Sequence, residues 1–383
     1  MKIVLLILTT LWLITRPLTV WSQTVDSQKE RADSVITTAT DTTTTEDSPR
    51  KLSLIRRIIR GFDRLDTRYI EPQHYTFTVM LQGTYTYDYF TISSSEGDGQ
   101  SISFAPDGSF KIGPYIGWKW FFGGYTFTLG HNTYSKTKTE LDLSLYSSQI
   151  GIDLFYRRTG SDYKLRNTKF GLYEVDHSME NLPFDGMKVG IAGANLYYIF
   201  NHGRFSYPAA FAQSTCQKIS CGSWLAGVGF TKNSLDLDYN KLQDMLDKTM
   251  PAQEVKLDSS MMFTSANYYH VSVSGGYAYN WVFAPQWLFC ASGQFSLAYK
   301  QSTGQTISDS GSDEHFSLTK INPNFVGRFG LVYNNMRWYT GISAIVRSNY
   351  YLESRFSTNN TFGSMNIYVG YNFGLKKKYR EKK

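Results

Sequence analysis

Between Tyr75 and Tyr89 the chain alternates without a break. Tyr75, Phe77, Val79, Leu81, Gly83, Tyr85, Tyr87 and Tyr89 share one parity, and Thr76, Thr78, Met80, Gln82, Thr84, Thr86 and Asp88 the other. Successive side chains of a strand point to opposite faces, so this period of two predicts one aromatic and aliphatic face and one hydroxyl-rich face. The same period returns in Val271, Val273, Tyr277, Tyr279 and Trp281, in Trp287, Phe289, Phe295 and Leu297, in Phe329, Leu331 and Tyr333, and in Met365, Ile367, Val369, Tyr371 and Phe373. Strands of soluble proteins usually stop after about five or six residues. The pattern predicts an all-β chain of about twelve strands, an antiparallel up-and-down transmembrane β-barrel over residues 73–374.

Connection lengths give an independent sign, because transmembrane barrels have short turns on one side and long loops on the other. Long segments are expected at 92–108, 130–139, 175–186, 237–259, 301–314 and 351–362, and tight ones at FFGG, RTGSD, NWVFAP and NNMR. The run NHGRFSYPAAFAQSTCQKISCGSW falls where a short turn is expected. Its Pro208 opposes a central strand, so Phe205, Tyr207, Pro208 and Phe211 are read as an extended inward connection folding into or beneath the lumen. The alternative is a further hairpin, which would raise the count to about fourteen.

Alternation alone does not say which face meets water. The face opposite the apolar one carries Asp88, Lys111, Lys119, Asp153, Arg157, His270, Arg328 and Arg347. A dry interior would charge several kcal/mol for each unpaired ion, about the whole stability of a domain. These eight residues are therefore read as lumen-lining, and the aromatic clusters at strand ends as interfacial girdles. A soluble β-sandwich or barrel is the competing reading.

Ahead of the strands, Lys2 precedes an apolar run from Ile3 to Ile14, and Val20 and Ser22 stand before Gln23, the plan of an export signal cleaved after Ser22. Its roughly twelve apolar residues are too few to span a bilayer as a helix. Residues 23–50, rich in Thr, Ser and Asp, are expected to be a disordered tether. Over 51–72 the period changes: Leu54, Ile55, Ile58, Ile59, Phe62 and Leu65 oppose Arg56, Arg57, Arg60 and Arg64, which predicts a periplasmic amphipathic helix lying on a membrane surface, capping the barrel, or packed on its own domain.

Composition agrees with a β chain: 28 Tyr, 25 Phe and 8 Trp against only 10 Pro. The net charge of +7 excludes less than it suggests, since the last eight residues hold five of those charges and Lys2 with Arg16 the other two. With its body balanced, the chain has no basic face for nucleic acid. The tail, 375–383, is expected in the periplasm with the N-terminus. Cys216 and Cys221 are near enough to pair or to stay as two thiols. Nothing calls for a metal or cofactor.

FDRLDTRYIEP, GPYIGWKWFFGGYTF, FSYPAAFAQSTCQKISCGS and YVGYNFG together resemble a family of outer-membrane β-barrel proteins of unknown function from Bacteroidetes, domain of unknown function 4421, over residues 62–373. The resemblance implies fold and an outer-membrane location; it brings no substrate and no functional residues. Outer-membrane lipid and the barrel-assembly machinery are the partners it implies, with the oligomeric state open. Three roles fit: a pore or surface scaffold; a hydrolase at the outer mouth, for which His270 near Ser272 and Ser274, or Asp176 with His177, are the candidate groups; and a partner-binding module using tether, helix and tail. In the first, Lys111, Lys119 and Arg328 either bias the lumen toward anions or pair with Asp88 and Asp153 across it.

Overall fold

The chain divides into two units at Arg57 and Ile58, and the elements below belong to the second. The structure, a computed structural model, describes residues 65–94, 99–118, 121–129, 139–159, 162–169, 180–249, 256–258, 265–302, 321–352 and 356–380. The expected signal, tether and most of the amphipathic helix lie outside them, as does Lys119. Within 65–72 the helical expectation fails: β1 (Ile70–Pro72) is a strand.

Strand β2 (Tyr75–Ser94) runs for 20 residues. Its returning neighbour comes in two pieces, β3 (Ser101–Pro106) against Phe90–Ser93 and β4 (Ser109–Trp118) against Phe77–Thr86. The break falls where Pro106 lacks a donor and where a Cβ on Gly108 would lie 2.1 Å from the Tyr85 hydroxyl. β5 (Phe121–Gly124) and β6 (Phe127–Leu129) both pair with β4. β7 (Thr139–Tyr146) turns through a Ser147 to Ile150 hydrogen bond into β8 (Ile150–Thr159), and β9 (Tyr163–Lys169) continues upward to pair with β3. β10 (Pro183–Phe184) and β11 (Met187–Ile199) descend.

Then come α1 (Tyr207–Phe211), β12 (Thr215–Gln217), β13 (Cys221–Leu237), α2 (Tyr239–Thr249), β14 (Ser265–Ala284), β15 (Trp287–Ser302), β16 (Ile321–Asn334), β17 (Trp338–Leu352), β18 (Phe356–Leu375) and the single turn α3 (Lys377–Arg380). β1 and β12 form a separate two-stranded ladder. The others make one antiparallel sheet of sixteen segments, where about twelve strands were expected. Some of the excess comes from short pieces that follow one another against the same neighbour, as β3 and β4 do along β2 and β5 and β6 along β4.

The first and last long strands are neighbours, β18 pairing with β2 from Phe356 opposite Ser94 to Leu375 opposite Tyr75. Among the described residues no ladder joins β5 or β6 to β7. Side chains reach across that interval from within: Glu140 of β7 accepts from Lys111 Nζ of β4 at 3.1 Å and from Thr86 Oγ1 of β2 at 3.2 Å. Arg157 of β8 donates to the carbonyls of Tyr87 and Gly363 at 2.9 and 3.2 Å, so opposite arcs of the sheet enclose one interior.

Burial follows parity. Val273, Phe295 and Ile367 on the outer face are 63%, 69% and 54% exposed, while Asn280, Cys290 and Asn322 on the inner face are fully buried. An apolar belt outside and a polar filling inside is the reverse of a soluble protein.

Four connections differ from expectation: the segment 92–108, expected as a loop, holds the end of β2 and all of β3, and three more depart as follows. Of RTGSD, Arg158 and Thr159 end β8 and Asp162 precedes β9, while a turn falls at 147–149; FFGG is β5; and 351–362 is mostly β18. That last stretch, STNNT, is polar on both faces, so period two is invisible there, yet it pairs with Ser348, Asn349 and Tyr350 on one side. The segment 237–259 contains α2, whose Leu242 and Leu246 are buried.

Candidate functional site: the barrel interior

The inward positions of β2 traverse the interior from the end where β2 begins opposite the finish of β18. Thr78 and Met80 lie against Tyr339 or Tyr368, the latter itself bonded to the plug; Thr86 and Asp88 reach a charged belt, and Phe90 and Ile92 an apolar cap.

The plug is α1 with its flanks. A strand-breaking proline becomes helix-compatible in the first turn, where no amide partner is needed, and the Ser206 hydroxyl caps the turn by accepting from the Ala209 amide at 3.3 Å. The extended connection read from Pro208 is therefore a short helix. Phe205 and Tyr207 are fully buried, and Phe211 stacks on Tyr146 with ring centroids 5.2 Å apart. Small inward residues make room for it: Ala278, Cys290 and Gly330, where a Cβ would lie 3.3 Å from the Phe211 ring.

Polar side chains fix the seat. Asn280 Nδ2 donates to the Ser206 carbonyl at 2.9 Å and to Gln217 Oε1 at 3.1 Å; Gln213 donates to the Tyr368 hydroxyl at 3.0 Å and accepts from Asn334 at 3.1 Å. β12 carries Cys216 into this layer as a free thiol, its sulfur 3.8 Å from that of Met336; Cys221 is free too. Burial pushes the Cys216 thiol up to about 12. A thiol held protonated in this way is a poor nucleophile, so alkylation at pH 8 is expected to be slow while the plug is seated.

Above the plug lies a network of ions. Arg328 Nη2 donates to Asp153 and Nη1 to Gln294. Ser144 adds a hydrogen bond to Asp153 at 2.6 Å. Arg157 and Arg347 both donate to Asp142, at 2.7 and 3.1 Å, and Arg347 lies 3.9 Å from Asp153. All three guanidiniums are 1–2% exposed. Their faces rest on aromatic rings: Arg328 on Tyr197 at 4.9 Å, Arg157 on Phe362 at 4.8 Å, Arg347 on Phe155 at 5.3 Å.

The structure thus brings Asp153, Arg157, Arg328 and Arg347 together. It places Asp88, also buried, within electrostatic reach of Arg157. Lys111 pairs with Glu140, not with Asp88 or Asp153. His270 stands apart, its Nε2 3.3 Å from the Asn322 amide and its ring against Tyr268, and no serine hydrogen bond to it is found among the described residues. Asp176 and His177 lie outside the described residues. Sequence reasoning missed Asp142, Glu140 and Gln294; the signal was present in TELDLSLY, where Glu140, Asp142 and Ser144 alternate with Leu141, Leu143 and Leu145.

Beyond the belt the filling turns apolar. Phe90, Ile92, Ile102, Phe104, Leu235 and Leu237 join Leu242 and Leu246 of α2 in one buried cluster. The interior is therefore obstructed at three levels: plug, ions and apolar cap.

Residues 64–373 match the family profile described as "Domain of unknown function (DUF4421)". Among curated proteins none matches. Similar solved structures include the outer membrane protease OmpT from Escherichia coli, at 8% identity and TM-score 0.34 over 80% of this chain and 100% of that one. The translocator domain of the autotransporter NalP from Neisseria meningitidis is similar at 12% identity and TM-score 0.29, over 83% and 94%. The outer membrane protein OprG from Pseudomonas aeruginosa is similar at 10% identity and TM-score 0.20, over 79% and 99%.

Proposed function

Since the chain belongs to the DUF4421 family and its sheet turns an apolar belt outward, we propose that it is an outer-membrane β-barrel whose closed lumen makes it an envelope scaffold and not a passive pore. In this reading the plug end, where β2 begins and β18 finishes, faces the periplasm, with the export signal removed. The observation that carries the proposal is the ion network: three guanidiniums held at 1–2% exposure cannot line a water-filled channel. Outside, Trp281, Trp287 and Trp338 stand near strand ends and are 53%, 38% and 53% exposed, as interfacial anchors would be.

Reconstitution into planar bilayers tests this. The unmodified chain is expected to give no stepwise conductance at any protein load, and peptide mapping should find Cys216 unalkylated by maleimide at pH 8. Conductance steps together with alkylated Cys216 would show a plug that leaves the lumen, and the scaffold reading would fail.

A further inference from the structure

The rim at the plug end carries an excess of positive charge. Along β18 the outward series Ile367, Val369, Tyr371 and Phe373 gives way to Lys376, Lys377, Lys378 and Arg380 within the next turn of chain. Arg337 joins them from the turn between β16 and β17, its carbonyl accepting from the Asn372 amide at 2.7 Å. The hydrogen bonds that Arg337, Lys376 and Arg380 make go to neutral oxygens, and no carboxylate pairs with any of the five among the described residues. The described carboxylates at this end are both engaged, Asp66 with Arg68 and Arg204 at 2.9 and 3.8 Å and Glu71 with His74 at 3.0 Å. Around α2, at the other end, Lys241 and Lys248 stand instead among Asp185, Asp238, Asp244 and Asp247.

These cations are bonded to the barrel's edge. The Lys376 amide and Nζ donate to the carbonyls of His74 and Gln73 at 3.0 and 2.7 Å, the Tyr379 ring lies on that of His74 with centroids 4.1 Å apart, and Arg380 Nε donates back to the Leu375 carbonyl at 3.0 Å. α3 is thereby held against the start of β2, at most about 10 Å along the chain beyond the exposed Phe373. Arg337 stands nearer the apolar belt. Its Nε and Nη2 donate to the Tyr371 hydroxyl at 3.0 and 2.7 Å, Tyr371 lies 4.6 Å from the exposed Trp338, and Nη1 has no partner among the described residues. In the barrel reading, an exposed guanidinium on an aromatic platform at the belt's edge, with lysines just beyond it, sits at the depth of lipid phosphates.

We propose that this rim is a docking surface for anionic phospholipid headgroups, with Arg337 donating to a phosphate and Lys377, Lys378 and Arg380 meeting the net negative charge of the lipid surface. A zwitterionic headgroup offers the same phosphate with its charge cancelled, so the unbalanced cations select the anionic lipid. A soluble acidic protein would meet the charges of α3 but not Arg337, whose platform of Tyr371 and Trp338 opens onto the apolar belt. The docking surface depends on the barrel reading and not on the lumen being closed.

The full chain, folded in non-ionic detergent, is doped with phosphatidylglycerol or with phosphatidylcholine of the same acyl chains. Native mass spectrometry measures the lipid retained, and thermal unfolding by tryptophan fluorescence measures its effect. Phosphatidylglycerol should raise Tm saturably and be retained at least about thirtyfold more strongly, an advantage that shrinks as salt is raised. Each cation removed should weaken its retention about fivefold: Arg337→Gln by about that factor, and Lys377→Gln with Lys378→Gln by roughly twentyfold. Lys241→Gln with Lys248→Gln, which removes the same charge at the opposite end, should leave retention unchanged. Equal retention of the two lipids, or equal weakening by the α2 pair, would overturn the proposal. A rim that retains soluble polyglutamate but not phosphatidylglycerol would belong to an acidic protein instead. A chain monodisperse in buffer without detergent would overturn the barrel reading and this one with it, whereas conductance steps beside an intact lipid preference would overturn only the scaffold reading.

Discussion

Replacing Asp153 with alanine is expected to lower stability against urea in detergent by about 3–5 kcal/mol, the cost of breaking a fully buried ion pair by removing one partner. Asp153 is the acceptor of Arg328 and of Ser144 and the second carboxylate near Arg347. Its loss leaves Arg328 with Gln294 alone, and a neutral amide oxygen does not neutralise a guanidinium in a dry site. Two arcs of the sheet, β8 and β16, also lose their direct tie. The control is Lys241→Ala, whose partner Asp185 is on the surface; that pair should be worth no more than about 1 kcal/mol. A shift in midpoint without a change in slope identifies a true stability effect. If Asp153→Ala moves the midpoint no further than Lys241→Ala, the ion network is not a structural tie.

Val273→Arg is the second large effect. Val273 lies in the middle of β14, opposite Val228 and Leu297 on the neighbouring strands, with its side chain turned outward. If that face meets acyl chains, a guanidinium there costs about 2–4 kcal/mol, with yield of folded barrel in lipid vesicles falling accordingly. If it meets water, an arginine on an exposed strand position changes stability by only about 0.5 kcal/mol in either direction. The two outcomes differ enough to separate a membrane barrel from a soluble one in a single variant.

Much of the fold was legible because the strands are long and only one face is apolar. Tyr75 to Tyr89 shows the alternation in full, and the burial pattern of β2 follows it to Asp88. Past that point Phe90 and Ile92, on the same parity as Asp88, turn the inside apolar, so a rule that puts polar residues inward breaks down at the cap. β18 was visible from Met365 to Phe373 and hidden from Ser357 to Thr361, where Asn and Thr occupy both faces.

The site was half legible. Arg157, Arg328, Arg347 and Asp153 could be placed inward by parity, but which ions meet depends on how far around the sheet two strands lie, and parity holds no information on that. Asp142 stands on β7 beside β8, yet it serves Arg347 from β17 as well. Pro208 was rightly excluded from a central strand. That it opens a capped helical turn follows from Ser206 one position before Tyr207 and from space left by Ala278 and Gly330, which only the assembled sheet creates.

The account stands on the outward apolar face touching lipid. Nitroxide labels placed one at a time at Val273, Leu297 and Ile367, and at their inward neighbours Ser274 and Ser296, measure this in vesicles by relaxation with oxygen and with a water-soluble nickel chelate. Oxygen should relax the three outward labels strongly and the chelate should not, while the inward pair responds weakly to both. Outward labels relaxed by the nickel chelate, or sheltered from both reagents, would contradict it.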